Sequence, residues 1–406
     1  MNKPLNIAVI GCGTAGLACA TGLASDHSVQ LFEKFEHAKP VGAGIMLQYT
    51  GLKALAYLGL EQDILKKGAV INHLSGHDFN GSTVFNVHYS DLKQHLFGLG
   101  IHRGTLFETL YHKVQKQNIL IKSNAAILST LQKSGQRFLV DQNSIEYGPF
   151  DLVIDASGAN SILRQHYSTM LYNHKYPYGA LWTVFEDPNK EYATNALYQV
   201  YDSAHKMLGL LPVGQRPGDQ LNCTTFFWSL PLADYAQWQD VGLDAWKKEV
   251  IKYCPHIESA LEQIQSQDQL ALAKYSHSMM KQWNYDQLVF IGDAGHTMSP
   301  QLGQGGNLAL VDAAVLVQML RQNKDVNKAL SAYNTKRKKH LMFYQYASRF
   351  MTPFFQSQSR LAGSLRNLCF DAMYQVPYFR KEMIRTLIGS KTGLLSSIDF
   401  ETLLYK

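Results

Sequence analysis

Two rhythms of apolar residues alternate along the chain. Residues 5–10 form a short, mainly apolar run of buried-strand type. Residues 15–24 are a row of small and apolar side chains suited to a close-packed helix, and residues 28–32 read as a second strand. Strand, helix and strand inside about 30 residues make a βαβ unit, which predicts a doubly wound α/β sheet. Leu52, Leu55, Leu58 and Leu65 recur at helical spacing and predict a helix over 51–66. Another helix is predicted over 105–114, with short strands around Ile119, Ile127, Phe138 and residues 152–154.

The texture changes between Tyr176 and Ala273. Aromatic and β-branched runs at 180–185, 196–201, 207–213 and 222–230 are separated by Pro and Gly, and two helical stretches follow near Trp246 and Ile257. This pattern predicts an antiparallel sheet. The α/β texture returns with a strand at 288–291 and a long helix over 306–321, and the chain beyond Lys328 reads as helical until its tail. The expected organisation is therefore interwoven. A doubly wound domain takes 1–75, 96–175 and 277–335, an antiparallel-sheet domain takes 76–95 and 176–276, and a helical segment takes 336–406.

A chain of 406 residues, 46% of them hydrophobic, has the apolar content for a large core and the length for two or three domains. It lacks the run of about 18 apolar residues that a membrane-spanning helix needs. The N-terminus leads straight into a strand-like run, unlike the charged start and apolar stretch of a signal peptide. Cys12, Cys19, Cys223, Cys254 and Cys369 are odd in number and scattered, without a C-x-x-C pair. That argues against a disulfide framework or a zinc site and fits a cytoplasmic protein.

The net charge of +6 is uneven: residues 336–391 hold eleven Lys or Arg and two acids, a net +9, leaving −3 elsewhere. Either these charges sit on solvated helix faces, as for the run 336–339, or they meet anionic lipid at the inner face of a membrane. No second basic stripe suggests nucleic acid.

Three stretches carry chemistry. The first, Gly11-Cys12-Gly13-Thr14-Ala15-Gly16, lies between a strand and a helix. Gly11 permits a tight turn, Gly13 lets backbone approach a pyrophosphate, and Gly16 lets the helix pack close to the strand. The helix N-terminus offers free N–H groups and a positive dipole end to phosphates. Glu33, 22 residues after Gly11, can accept both ribose hydroxyls of an adenosine. This motif alone does not separate NAD from FAD. The second stretch runs from Leu288 through Gly292-Asp293-Ala294-Gly295-His296 and Pro300 to Gly305-Gly306-Asn307. Asp293 is placed for a polyol such as a flavin's ribityl chain, and the following helix would point its positive end at the charge of a reduced flavin. His296 is a candidate base or a residue that holds the loop. The third stretch is Asp151 to Ser161, followed by Arg164. On the antiparallel sheet Tyr198, Leu210, Pro212, Phe226 and Trp228 are candidate pocket residues, Phe226 and Trp228 sharing one strand face.

These stretches, in this order, resemble the single-component FAD-dependent aromatic monooxygenases, the para-hydroxybenzoate-hydroxylase-like and ubiquinone-pathway-hydroxylase-like family. The resemblance spans about residues 5–346 and includes Gly42-Ala43-Gly44-Ile45 and Ile101-His102-Arg103-Gly104-Thr105-Leu106. It implies non-covalent FAD held around Gly11, Gly13, Thr14, Ala15, Gly16, Glu33, Lys34, Arg103, Asp293, Gly305, Gly306 and Asn307. Arg103 would lie on the flavin side, Pro300 beside the isoalloxazine ring, and the strand at 209–213 over the pocket. It also implies hydroxylation of an aromatic or quinone-like small molecule with O2, through a flavin C4a-hydroperoxide, with electrons from NAD(P)H.

One departure bears on the electron donor. Where the family usually reads Gly-Ala-Asp-Gly, this chain has Asp155-Ala156-Ser157-Gly158. Ser157 supplies no carboxylate, which predicts weakened direct reduction by NAD(P)H and a gain on Ser157→Asp. The same turn is similar to those of flavin halogenases and isoprenoid-modifying flavoenzymes. A flavin-dependent reductase, dehydrogenase or halogenase-like enzyme therefore stays open, although the halogenase Trp-x-Trp stretch is absent. A flavin-bound interaction module without turnover is a third reading.

Overall fold

The computed structural model describes residues 3–39, 42–167, 170–192, 195–218 and 220–405. Strand β1 (Asn6–Ile10) leads through α1 (Thr14–Leu23) to β2 (Ser28–Phe32), which pairs with β1 in parallel. Almost all of α1 is buried, because its Ala, Gly and Cys side chains let the helix lie close between the sheet and a later helix. Then follow β3 (Gly44–Leu47), α2 (Tyr49–Tyr57) and α3 (Glu61–Leu65). The single helix expected over 51–66 is thus two helices, separated at Gly59, whose φ of +71° no helix accommodates. Strands β4 (Ala69–Ile71), β5 (His73–Asp78), β6 (Thr83–His88) and β7 (Gly98–His102) come next, and β3, β7 and β4 make a small sheet.

Helix α4 (Arg103–Lys116) returns the chain to β8 (Leu120–Lys122). A meander of β9 (Ile127–Lys133), β10 (Gln136–Asp141) and β11 (Glu146–Phe150) precedes β12 (Leu152–Asp155). Strand β12 pairs in parallel with the other side of β1, and β19 (Leu288–Phe290) pairs in parallel with β12. With β18 (Asn284–Tyr285) at the edge, the order is β18-β19-β12-β1-β2-β8. The strand order reverses beside β1, and such a switch point opens a crevice at the carboxyl ends of the strands.

The second sheet follows α5 (Ile162–Tyr167). It contains β13 (Met170–Glu186), β14 (Ala196–Asp202), β15 (Lys206–Gln215), β16 (Asn222–Pro231) and β17 (Ala271–Met280), in the order β17-β13-β16-β15-β14-β5-β6. Helices α6 (Tyr235–Val241), α7 (Leu243–Tyr253) and α8 (Glu258–Leu261) cover one face through Trp238, Trp246, Val250 and Leu261. The other face looks toward β3 and the C-terminal helices, where Leu211, Val213 and Phe227 pack with Met46, Phe355 and Ile384.

Helix α9 (Gly305–Gln322) is buried along nearly its whole length beneath α1 and α2. Helices α10 (Val326–Phe355), α11 (Arg360–Gln375), α12 (Pro377–Leu387) and α13 (Phe400–Tyr405) complete the chain. The reading of 336–339 as a solvated charge run needs correction at one position. Arg337 is fully buried and bonds Asp312 of α9, while Arg366 and Lys391 of the same basic segment are also buried. Among the described residues no helix is long and apolar enough to cross a membrane.

Candidate functional site

Four loops leave the carboxyl ends of four neighbouring parallel strands, β2, β1, β12 and β19, and they carry Glu33, Gly11–Gly13, Ser157–Gly158 and Asp293. Residues more than 250 positions apart in sequence thereby line one crevice. The loops touch. A Cβ on Gly11 would come within 2.6 Å of the Ala156 carbonyl oxygen, and one on Gly292 within 3.0 Å of the Ala15 Cβ.

The glycine turn fits a pyrophosphate. Gly11 has φ +99°, a backbone state that strains other residues. A Cβ on Gly16 would lie 2.0 Å from the Gly11 carbonyl oxygen, so only glycine lets α1 start this close to β1. Gly13 is exposed and faces open space. Neither α1 nor α9 has a side-chain cap at its N-terminus. Thr14 and Ala15 open α1, as Gly305 and Gly306 open α9, so both helices present free N–H groups and a positive dipole end. Glu33 is nearly buried. Its carboxylate accepts the Cys12 N–H at 2.9 Å and the Phe35 N–H at 3.2 Å, which ties the phosphate turn to the end of β2. Lys34 is exposed, with its ammonium 4.7 Å above the Phe35 ring. Burial and Glu33 push the Cys12 thiol up to about 12, which keeps it unreactive.

Asp293 is open to solvent at the crevice although protein atoms crowd around it. That enclosure raises its carboxyl above the ordinary range, against the opposing charges of His296, Arg103 and Arg164. Arg103 opens α4 and lies against Gly42, where a Cβ would meet its Cδ at 3.0 Å. Arg164 donates to the carbonyl oxygens of Ala159, Asp293 and Ala294 and to Ser278 Oγ, joining the β12 and β19 loops. The carboxylate absent at position 157 stands two residues earlier. Asp155 is fully buried, and its Oδ1 accepts the Ser157 N–H at 2.9 Å and the Ser157 hydroxyl at 2.6 Å. Its Oδ2 accepts the Ser161 hydroxyl at 2.6 Å.

His296 is buried and its Nε2 lies 2.6 Å from Asp312 Oδ2, so it holds the loop and has no path to a substrate. Asp312 also accepts the Gly292 N–H at 2.8 Å and Arg337 Nε at 2.7 Å. Burial alone would raise the Asp312 carboxyl, but His296 and Arg337 outweigh it and hold the group far below the usual carboxylate range. The Asn307 side chain is likewise committed to protein. Its Oδ1 accepts the Gln48 N–H at 2.7 Å, and its Nδ2 donates to the carbonyl oxygens of Met46 and Gly303. It staples β3 to α9, leaving only its backbone N–H for a ligand. Pro300, half-buried, starts a short 3-10 turn (Pro300–Leu302) just before α9.

The candidate pocket residues on the antiparallel sheet lie on its helix-covered face. Tyr198, Leu210, Phe226 and Trp228 point toward α6–α8, with the Phe226 and Trp228 rings 6.0 and 6.2 Å from Trp246. Strand alternation then turns Trp182, Val184, Leu211, Thr225 and Phe227 toward β3. A Cβ on Gly44 would meet Thr225 Oγ1 at 2.4 Å and Val213 Cγ1 at 2.5 Å. Pro212 meets the other domain through its backbone, its carbonyl oxygen against Gly100. The Trp182 indole N–H donates to the Tyr275 hydroxyl at 2.9 Å, and the Trp182 ring lies 5.0 Å from Phe227. Burial raises the Tyr275 phenol, partly offset by the Trp182 bond and the nearby Arg103 charge. Trp182, Thr225, Phe227 and Tyr275 were not singled out from the sequence. The two amphipathic stretches after the sheet were the available signal, because they must cover one of its faces.

The donor set of a glycine turn, two uncapped helix N-termini, Glu33 and a solvent-open Asp293 fits an FAD; among the described residues no cluster of His, Cys, Asp or Glu could hold a metal. The comparisons agree. A family model described as "FAD binding domain" matches residues 5–343. The putative FAD-dependent monooxygenase YetM of Bacillus subtilis is 25% identical over 340 residues, covering 81% of this chain and 88% of that protein. The FAD-dependent urate hydroxylase of Klebsiella oxytoca is 24% identical over 340 residues, covering 81% and 85%. Klebsiella pneumoniae HpxO, solved with FAD and uric acid, superposes with a TM-score of 0.77 at 19% identity, covering 95% of this chain and 96% of that one. Four loops, one crevice and one family model converge, and the chain belongs to the FAD-binding family of aromatic monooxygenases.

Proposed function

We propose that the protein hydroxylates an uncharged, planar aromatic or heteroaromatic ring, using O2 and electrons from NAD(P)H. Bound FAD supplies the reaction with oxygen, and the chain supplies position, shielding and field. The free N–H groups of α1 would hold the pyrophosphate and Glu33 the ribose. Asp293 would hold the ribityl chain, and the first turn of α9 would face the polar edge of the ring. The wall formed by β13, β15 and β16 excludes water, which favours oxygen transfer over wasteful breakdown.

The observation that supports an uncharged substrate is the chemistry of that wall. Over residues 180–184, 207–213 and 223–229, its β3-facing side carries no charged side chain. The strands themselves offer a substrate carboxylate no cation, the nearby Arg103 being read as a flavin contact, and burying a carboxylate unpaired is costly. The hydroxyl of the half-buried Tyr275 offers a polar contact at the edge of a ring. We place the protein in the cytoplasm, the compartment suited to its free cysteines. The test is a panel of neutral hydroxy-heteroaromatics and their carboxylated counterparts, scored for O2 uptake coupled to hydroxylated product. Neutral rings should stimulate turnover, and a panel in which only carboxylates do so would refute the reading.

A further inference from the structure

Helix α11 is turned inside out. Its inner face presses Gly363 against Ser203 and Ala204, and it buries Arg366 completely. That guanidinium lies 4.2 Å from the Tyr201 ring centroid and 5.3 Å from that of Phe355, and it donates to the Phe354 carbonyl oxygen. The outer face carries Leu361, Leu365 and Leu368, which are 70%, 43% and 73% exposed, followed by Met373. Among the exposed residues of α11 only Arg360, at its start, is charged. A solvated helix face normally carries charges, so an apolar one in their place marks a contact surface.

Neighbouring elements extend the surface. Phe350 near the end of α10 is 69% exposed, and Tyr378 and Phe379 at the start of α12 are 50% and 42% exposed. Arg349, Arg360 and Lys381 stand beside these apolar residues in sequence and are themselves exposed. Of the two acids between 336 and 391, Glu382 is already taken by Lys391 and Arg385. Asp371 of α11 is half-buried, so one acid stands against the exposed Arg349, Arg360 and Lys381, and the net charge around the patch is positive. A second copy seated on the same patch would oppose cation to cation, whereas an anionic lipid surface complements it. Leucines inserted below the headgroups, aromatic residues at their level and cations above are the layout of an interfacial helix.

We propose that the outer face of α11, with Phe350, Tyr378 and Phe379, docks the protein on an anionic membrane surface. This does not rest on the substrate assignment, since lipid binding and hydroxylation are measured separately. The FAD-loaded full-length protein is co-sedimented with vesicles of phosphatidylcholine alone or mixed with phosphatidylserine. The parent should bind the mixed vesicles, and high salt should weaken binding. The triple variant L361Q/L365Q/L368Q should lower the bound fraction roughly tenfold, because three apolar anchors are lost. Its FAD content and circular dichroism should match the parent, as the changed residues face outward. A second variant, R360Q/K381Q, should lose the preference for phosphatidylserine. The proposal is overturned if the parent sediments with neither vesicle or if the triple variant binds like the parent. It is also overturned if the parent forms a dimer that the triple variant abolishes while neither protein binds lipid.

Discussion

Asp312 collects three donors in the core: the Gly292 N–H, the His296 ring and the Arg337 guanidinium. It fixes the turn that bears Asp293 to α9 and α10 at once. Asp312→Asn leaves Arg337 buried without its counter-charge, which should cost about 3–5 kcal/mol of stability. Because the Asp312 carboxyl is depressed in the folded state, its contribution is present above the ordinary carboxylate pKa of about 4 and is lost as the pH falls below it. Thermal melts of parent and variant should therefore converge on acidification from about pH 4 downward and stay separated at neutral pH. Ser157 gives a second test at this scale. The sequence alone suggested that Ser157→Asp restores a family carboxylate. In the structure Ser157 donates twice to Asp155, so that change sets two carboxylates against each other. The single variant should melt lower and reduce no faster with NAD(P)H in stopped flow, and the pair D155G/S157D should recover the melting temperature. A single variant that is stable and faster would show that the carboxylate's old position is still free. Arg337 marks the limit of reading at this scale: it looked like one more charge in a basic run, and only Asp312, on the preceding helix, makes it structural.

Between α2, β3 and α9 the fold depends on close approach. A Cβ on Gly51 would lie 2.2 Å from Asn307 Oδ1, the atom that accepts the Gln48 N–H. Gly51→Ala should break that staple and tilt the first turn of α9, weakening FAD binding about tenfold and destabilising the protein by about 1–3 kcal/mol. Gly22→Ala is the control. Its Cβ would meet Leu58 and Val317 side chains, away from the crevice. It should cost similar stability while leaving the FAD dissociation constant, measured by flavin fluorescence titration, unchanged. Equal loss of FAD affinity in both variants would mean that general loosening, and not the staple, is responsible. Legibility followed element type. Strands β1, β12 and β19 and helices α1 and α9 were plain in the sequence, since strands buried on both faces give apolar runs. Strands β3 and β7 were not, because glycine opens the one and twice interrupts the other. Strand β13 begins at Met170, ten residues before the run that revealed it, and Pro177 and the polar side chains 173–175 hid its first half.

Across the whole molecule the site is an assembly. The FAD-binding sheet supplies the loops, the second sheet supplies a wall, and α10–α12 close that wall through Phe355, Tyr374 and Ile384. Sequence alternation established that Phe226 and Trp228 share a face, but choosing which face meets the crevice required knowing where α7 packs. That assignment yields a prediction with two arms. Tyr275→Phe removes the acceptor of the Trp182 indole and a hydroxyl of the pocket, so it should raise the substrate KM by about 5- to 10-fold at little cost in stability, the value of one hydrogen bond. Trp182→Leu should act in the same direction and also raise the share of NAD(P)H oxidised without product, since the wall admits water. Trp228→Leu, on the opposite face against Trp246, opens a void in the core instead. It should cost about 2–4 kcal/mol of stability and leave KM within twofold of the parent. Steady-state kinetics and thermal melts on the three variants separate the faces. If Trp228→Leu raised KM while Tyr275→Phe did not, the substrate would sit on the α7 side of the sheet, and the face that carries Trp182 would have a structural role.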